Sequence, residues 1–273
     1  MRTEPAAQPI PTPPPASDFA AQAGNPDFML SLARGLQVIE SFEGHREGRS
    51  IVEISQSTGL SRAAIRRILL TLEVLGYVER SRQVYRLKTQ VLRLGFSFLS
   101  SSSVVEAARP VLERICEQLH ESSSMSMLDA GDIVYVARAA ASRIMAAGLS
   151  VGSRLPAYCT SMGRVLLAAL SDERLEAYLH DLKPKAYTPK TITRIAQLKR
   201  AILQVRKDGY AIVDEELEPG LRSIAVPVST RNNQVLAAIN VGTHVSRVDR
   251  AALIDRCLPA LQEGARMLRS LLI

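Results

Sequence analysis

The chain has 273 residues and carries 34 Lys and Arg residues against 27 Asp and Glu residues, which gives a formal net charge of +7. This length exceeds one small core, so we expect two folded domains. No stretch approaches the roughly 18 consecutive apolar residues of a membrane-spanning helix. The three cysteines are widely spaced, and the four histidines are isolated. This pattern argues against both a disulfide framework and a zinc site, and it favours a reducing cytoplasm.

The N-terminal segment, residues 1–27, contains half of the 14 prolines and few large apolar side chains. Such a segment cannot bury enough surface to offset its conformational entropy, so we predict a disordered Pro-rich arm. Its basic start is not followed by the apolar run of a signal peptide.

Residues 28–88 carry the signals of helices followed by a hairpin. In the first helix, Ser31 is predicted to be the N-cap. Leu32, Leu36 and Ile39 recur at helical spacing and are predicted to share one apolar face.

The next two helices have the spacing of a helix-turn-helix. Ser50 and Glu53 are spaced as a capping box, and the helix that they start is predicted to end at Gly59. Ser61 is predicted to cap the third helix after a four-residue turn. Residues 77–87 indicate two short strands around a polar tip, so this domain is predicted to be a winged helix-turn-helix domain.

The third helix has one apolar and one basic face when its residues are placed at about 100° intervals. The predicted core positions are Ile65, Ile68, Leu69, Leu72 and Leu75. Small and cationic residues on the opposite face suit the major groove of DNA. The predicted base contacts are Arg62, Ala63 and Arg66, and the predicted phosphate contacts are Ser61, Arg67, Arg80, Arg82 and Tyr85. Residues 61–88 contain seven Lys or Arg and two Glu, so positive charge is concentrated in this helix and wing.

Residues 89–103 predict an apolar linker helix, which we expect to pack against a second subunit. Residues 104–273 predict a second domain of the α+β class. Its strands are predicted at residues 125–128, 133–138, 143–149, 210–213, 223–228 and 235–242. Because helices separate groups of strands, an antiparallel sheet covered by helices is favoured over a doubly wound parallel sheet.

The sequence resembles the IclR-type bacterial transcription regulators over residues 28–273. The resemblance rests on SLARGLQVIESF from Ser31, ISQSTGLSRAAIRRILLTLEVLGYV from Ile54, VGSRLPAYCTSMGRVLLA from Val151 and DGYAIVDEELEPGLRSIAVPV from Asp208. The block AYCTSMGR is similar to the subgroup that controls aromatic-acid breakdown through protocatechuate and β-ketoadipate. The resemblance implies a winged helix-turn-helix domain, a dimerising linker helix and a GAF-like effector domain. It also implies a homodimer or a dimer of dimers.

The resemblance implies a small carboxylic acid as effector. The implied contacts are Ser161, Met162, Asp214, Ser223 and Asn240, with Leu149 and Leu155 on the apolar side. Ser161 and Met162 begin a helix, whose free N–H groups and positive dipole end suit a carboxylate. The alternative is that Ser161 only caps this helix.

Charged residues near these positions leave open which groups contact the effector. Asp214 belongs to an acidic cluster whose members Glu215 and Glu218 are interpreted as solvated turn residues. A buried carboxylate on the effector requires a cation. The candidates are Arg138, Arg143 and Arg154, among which the sequence does not choose.

Two other classes are weighed against a regulator. Cys159 with His180 or His244 would be the thiol pair of an enzyme, but no catalytic motif surrounds it and a buried thiol is commoner. An aromatic content of 4% without Trp argues against an RNA-binding module.

We therefore predict a DNA-binding regulator of aromatic-acid catabolic genes, with a regulator of another carboxylic-acid pathway as the alternative. No catalytic, metal or cofactor site is predicted. The expected partners are double-stranded operator DNA, a small carboxylic acid, a second copy of the chain and RNA polymerase, with no membrane partner. The expected location is the bacterial cytoplasm, at the nucleoid.

Overall fold

The computed structural model describes residues 19, 22, 24–45, 47–141 and 149–271. The chain divides into two compact units, and the boundary along the sequence falls between Phe98 and Leu99. Residues 1–18 of the predicted arm lie outside the described residues. Residues 143–148 of a predicted strand, including the candidate cation Arg143, also lie outside them.

The described part of the first unit consists of helices followed by a small antiparallel sheet. Its helices are α1 (Leu30–Glu40), α2 (Ile51–Thr58) and α3 (Arg62–Val74). Its strands are β1 (Arg49–Ser50), β2 (Val78–Ser81) and β3 (Val84–Leu87), in the order β1-β3-β2. The β2–β3 hairpin is the predicted wing, so the winged helix-turn-helix prediction is confirmed.

Local hydrogen bonds fix the turn between α2 and α3. The Glu53 backbone N–H donates to Ser50 Oγ (3.3 Å), and the Ser50 N–H donates to the Glu53 carboxylate (2.7 Å), which completes the predicted capping box. Gly59 ends α2 with φ at 70°, a conformation that glycine adopts without steric cost. Ser61 caps α3 by accepting a hydrogen bond from the Ala64 N–H (3.2 Å).

The predicted N-cap of α1 is wrong, and its predicted apolar face is only partly buried. Ser31 lies inside the helix rather than capping it, since α1 begins at Leu30. Leu32 and Leu36 are 58% and 46% exposed, whereas Ile39 packs against the core and Val38 is fully buried. The helix has more than one apolar stripe, and α2 and α3 cover the stripe that contains Val38.

The predicted core face of α3 is confirmed except at its end. Ile65, Leu69 and Leu72 are buried, and Ile68 packs against the same core. Leu75, the C-cap of α3, keeps a helical backbone conformation but is 56% exposed, because at about 100° per residue it lies at the margin of the apolar arc.

The described part of the second unit contains a six-stranded sheet. Its strands are β4 (Ser122–Asp129), β5 (Asp132–Ala139), β6 (Arg154–Pro156), β7 (Ala211–Asp214), β8 (Leu221–Ser229) and β9 (Val235–His244). They follow the order β6-β5-β4-β9-β8-β7, and each neighbouring pair is antiparallel. The predicted antiparallel sheet is confirmed, and β6 is a strand that the sequence pattern missed.

Helices cover both faces of this sheet. They are α5 (Ser103–Leu119), α6 (Ser161–Ala168), α7 (Asp172–Asp181), α8 (Ile195–Asp208), α9 (Arg250–Ala252) and α10 (Leu258–Leu271), and α4 (Leu92–Ser101) precedes them. Along β8, Ile224 and Val226 contribute to a core with α5 and α10, whereas Ala225 contributes to a core with α6, α7 and α8. Within the described ranges, no helix has the length and apolar character needed to cross a bilayer.

Candidate DNA-reading face and effector cavity

The N-terminal half of α3 presents the predicted DNA contacts on one exposed surface. The exposed residues are Ser61, Arg62, Ala63, Arg66 and Arg67. This surface lies opposite the buried side chains of α3, and no carboxylate in the described part of the chain pairs with its three guanidinium groups. The surface is therefore cationic, and the small side chains of Ser61 and Ala63 leave room for a close approach to the major groove.

The wing places two of its three predicted contacts at the surface. Arg82 lies at the hairpin turn with φ at 56°, and Arg80 Nε donates to the Arg82 carbonyl (3.0 Å). Tyr85 is only 6% exposed and belongs to the core of the first unit. Its predicted phosphate contact does not fit this burial. The Tyr85 ring instead supports the Arg80 guanidinium, which lies 5.9 Å from the ring centroid.

A cavity of about 140 Å³ in the second unit brings together most of the predicted effector residues. The residues that line it as predicted are Leu149, Leu155, Ser161, Met162, Ser223 and Asn240. All six strands of the described sheet and the N-terminal end of α6 contribute residues to its walls. The resemblance therefore located residues that are distant in sequence and adjacent in the fold.

Asp214 is not among the residues that line this cavity, so the geometry does not support its predicted effector contact. Arg222 donates two hydrogen bonds to the Asp214 carboxylate (2.8 and 3.0 Å), which hold the pKa of Asp214 below its ordinary value. Side chains alternate along a strand, and the preceding residue, Val213, faces the cavity. Glu216 from the same acidic segment also lines it.

Glu216 forms a buried ion pair that the sequence pattern did not reveal. Arg164 Nη2 lies 2.6 Å from Glu216 Oε2, and both side chains are less than a tenth exposed. Arg164 Nε also donates to the Tyr158 carbonyl (3.1 Å), and the Ile192 N–H donates to Glu216 Oε2 (3.2 Å). This pair ties α6 to the loop after β7. The sequence signal for this pair was a single arginine, Arg164, in an otherwise apolar helix, together with the acidic segment 214–218 that could neutralise it.

The N-terminal end of α6 resolves the alternative for Ser161. Thr160 is the N-cap, since its Oγ1 accepts a hydrogen bond from the Gly163 N–H (3.2 Å). A Cβ on Gly163 would clash with the Ala157 carbonyl, which explains glycine there. The Ser161 hydroxyl is therefore not needed as a cap.

Two buried polar atoms of the cavity lack hydrogen-bond partners among the described residues. These atoms are Ser161 Oγ and Asn240 Oδ1. An unsatisfied buried polar atom costs about 1–3 kcal/mol. A bound molecule with complementary polar groups would remove that cost.

The cavity also distinguishes the candidate cations. Arg138 lines it, and its Nη1 donates to Ser124 Oγ (3.3 Å). Among the described residues, no carboxylate pairs with Arg138. Arg154 is not part of the lining and is held by Asp129 (2.6 Å) and Asp132 (3.5 Å).

Cys159 forms part of the same wall and is fully buried. Burial raises the pKa of its thiol to about 12, so the thiol is neutral at pH 7 and a poor nucleophile. Within the part of the chain that the structure describes, no group of His, Cys, Asp or Glu is arranged to hold a metal ion.

Comparison with protein families matches both units. Residues 31–82 match the IclR helix-turn-helix domain, and residues 96–270 match the family described as bacterial transcriptional regulator IclR C-terminal.

Individual relatives extend over nearly the whole chain. The chain is 49% identical over 253 residues to the Pca regulon regulatory protein of Pseudomonas putida, covering 92% of this chain and 87% of that protein. A crystal structure of a transcriptional regulator from Rhodococcus sp. RHA1 is similar with a TM-score of 0.80 and 46% identity, covering 90% of this chain and 98% of that chain.

A third relative is the inducer-binding domain of the PobR transcription factor from Acinetobacter, a double mutant in complex with 3-hydroxybenzoic acid. Its TM-score is 0.57 at 34% identity, and the match covers 60% of this chain and 96% of that chain. Each of these relatives is named as a regulator.

Proposed function

The chain belongs to the IclR family of bacterial transcription regulators and is a regulator rather than an enzyme, and we propose that it controls aromatic-acid catabolic genes in response to a small carboxylic acid. The acid binds in the cavity of the second unit, and α3 of the first unit reads operator DNA in the bacterial cytoplasm. Relatives named for the Pca regulon and PobR support this pathway.

The observation that carries the effector proposal is the set of unsatisfied groups in the cavity. Ser161 Oγ and Asn240 Oδ1 lack partners among the described residues. Arg138 lines the same cavity, and no carboxylate among the described residues is paired with it. A guanidinium complements a carboxylate, and the Asn240 carbonyl oxygen complements a hydroxyl donor. A small hydroxy-substituted acid has this chemistry. The Ser161 hydroxyl, which can also donate, complements the oxygen of a keto-substituted acid.

The size of the cavity supports an effector no larger than about one substituted ring. Its volume of about 140 Å³ is close to the roughly 150 Å³ of an apolar protein cavity that holds benzene. It is well below the pockets of drug-sized ligands, which begin near about 300 Å³. Leu149, Leu155 and Met162 would cover the apolar part of the effector.

Removing the Arg138 charge is expected to reduce the stabilisation of the folded protein by the effector. A thermal-shift panel of protocatechuate, 4-hydroxybenzoate, β-ketoadipate and muconate identifies the acid that binds, because an acid at a hundred times its Kd stabilises the folded state by about 2.7 kcal/mol. Arg138→Gln is expected to weaken binding of that acid at least about tenfold, since a buried carboxylate would lose its charged partner.

Arg154→Gln is the matched control for Arg138→Gln, because it removes the same charge outside the cavity. It should leave acid affinity unchanged. The effector proposal is rejected if no acid raises the melting temperature, or if the two variants bind the acid equally well.

For operator recognition we propose the exposed residues of α3 and the wing. Arg62, Ala63 and Arg66 contact base edges, and Ser61, Arg67, Arg80 and Arg82 contact phosphates. Their exposure and the absence of ion pairs for the α3 arginines within the described residues support these roles. RNA polymerase at the promoter stays a predicted partner.

A second copy of the chain is the proposed partner of the linker helix. Leu92, Leu94, Phe96 and Phe98 of α4 are each between 48% and 68% exposed. Large apolar side chains grouped on one short helix mark an interaction surface.

Phe96→Glu is expected to shift the protein from dimer to monomer in sedimentation velocity at micromolar concentration, because burying a carboxylate in an apolar interface is costly. Leu271→Glu is the control, since Leu271 is a 60% exposed apolar residue far along the chain on α10. Equal masses for both variants would contradict the role of α4. A dimer of dimers would appear as a larger species.

A further inference from the structure

One ion pair forms a common wall between the effector cavity and a second cavity. Arg247 Nε and Nη2 donate to the two carboxylate oxygens of Glu121 (3.1 and 2.8 Å), and Thr243 Oγ1 donates to Glu121 Oε1 (3.3 Å). Both Glu121 and Arg247 line the effector cavity, and both line a neighbouring cavity of about 280 Å³. Neither residue was singled out by the sequence pattern.

This arrangement places a carboxylate inside a cavity that is otherwise suited to an acid. Glu216 on the same lining is neutralised by Arg164. Glu218 also lines the cavity but is exposed to solvent, and Arg138 carries a positive charge. Arg247 is the second arginine of the lining without another carboxylate partner among the described residues, and Glu121 occupies two of its hydrogen-bond donors. A guanidinium fork holds one carboxylate in the two-bonded geometry, so an acid that reaches Arg247 must replace Glu121.

The second cavity has room for the Glu121 side chain once it leaves Arg247. An uncompensated buried carboxylate is costly, so its displacement requires another partner. Arg256 and His120 line the second cavity beside Glu121. Arg256 is exposed, and within the described residues no carboxylate is paired with it. Glu121 could thus exchange Arg247 for Arg256 without losing charge compensation.

Glu121 is also connected by the chain to the linker helix. It follows α5 after a single residue, His120, whose φ of 56° ends that helix in the left-handed conformation. At its other end α5 is separated from α4 by Ser102 alone. A displacement of Glu121 would therefore act on the C-terminal end of α5, the helix that follows the linker helix α4.

We propose that Arg247 is a second carboxylate-binding residue of the effector cavity and that Glu121 occupies it until the effector binds. When the effector binds, Glu121 is released from Arg247, and this release transmits the binding of the effector to α5. This inference rests on the proposed effector role of the cavity. An effector shifts the equilibrium only by its different affinity for the two arrangements, and the Glu121–Arg247 pair supplies that difference.

Glu121→Gln removes the carboxylate but keeps the size of the side chain. It therefore tests whether Glu121 occupies Arg247 in place of the effector, which we call the placeholder role. Protocatechuate, 4-hydroxybenzoate and β-ketoadipate are titrated by calorimetry into the wild type and the variant. The acid that binds the wild type is expected to bind the variant about tenfold more tightly, because no carboxylate must be displaced. Without acid, the operator affinity of the variant should move toward the value of the acid-saturated wild type.

Glu263→Gln is the matched control, because Glu263 pairs with Arg114 of α5 in an exposed ion pair. It should change neither acid affinity nor operator affinity. Arg247→Lys provides a second variant that keeps the positive charge but loses the fork, and it should bind the acid about tenfold more weakly.

The outcomes separate this inference from the proposed function. If the wild type binds none of the acids, the effector role itself fails, and this inference fails with it. If the wild type binds an acid and both Glu121→Gln and Arg247→Lys bind it within twofold of the wild type, only the placeholder role is overturned.

Discussion

Replacing Arg66 by alanine is expected to lower operator affinity by about 1–3 kcal/mol, which is roughly a 5- to 150-fold increase in Kd. Arg66 is exposed on the outer face of α3, where an arginine fork can bind O6 and N7 of one guanine. The variant should also tolerate substitution of that one base pair. The operator is first selected by the wild-type protein from a random duplex library, and affinities are then measured by fluorescence anisotropy across salt concentrations.

The control for Arg66→Ala is Arg174→Ala, which removes the same charge from the exposed surface of α7. Long-range electrostatics would weaken DNA binding in both variants alike, whereas base reading predicts a loss in Arg66→Ala alone. Unchanged operator affinity and salt dependence in Arg66→Ala would mean that α3 is not the reading helix.

Glu216→Gln is expected to lower the free energy of unfolding of the second unit by about 3–5 kcal/mol. The substitution leaves the Arg164 guanidinium buried without a counter-charge, although the glutamine is nearly the same size. Such a loss is a large fraction of the roughly 5–15 kcal/mol that stabilises a typical domain. Chemical denaturation followed by circular dichroism measures it.

Two further variants show whether the Glu216 effect arises from the buried charge. Glu263→Gln breaks an exposed pair with Arg114 and should cost less than about 1 kcal/mol. The double variant Arg164→Met, Glu216→Leu removes both charges and should recover most of the stability. Equal effects of Glu216→Gln and Glu263→Gln would show that burial of the pair does not control stability.

Local signals were sufficient to predict the helix-turn-helix from sequence. Ser50, Gly59 and Ser61 act within one or two helical turns, so their caps and positive φ are encoded by their immediate neighbours. The apolar arc of α3 is likewise a property of one helix. The exposure of Leu32 could not be predicted in this way, because it depends on which apolar stripe of α1 the other helices cover.

The effector cavity was predictable in its residues but not in its charges. Sequence resemblance identified Ser161 and Asn240, which strands and a helix from distant segments bring together. Asp214 and Glu216 are two residues apart, yet the first pairs with Arg222 outside the cavity and the second lines it. The partner of each carboxylate comes from another element, so spacing along the chain could not distinguish them. Arg247 was missed for the same reason.

Operator affinity with and without a bound acid tests most directly whether the cavity regulates DNA binding. The labelled operator duplex is titrated with wild-type protein, first alone and then with the acid that gives the largest thermal shift at saturating concentration. We expect the Kd for the operator to change at least about fivefold, the lower range of allosteric coupling. An unchanged Kd, with acid binding confirmed by calorimetry, would contradict the proposal that the protein is a ligand-responsive regulator.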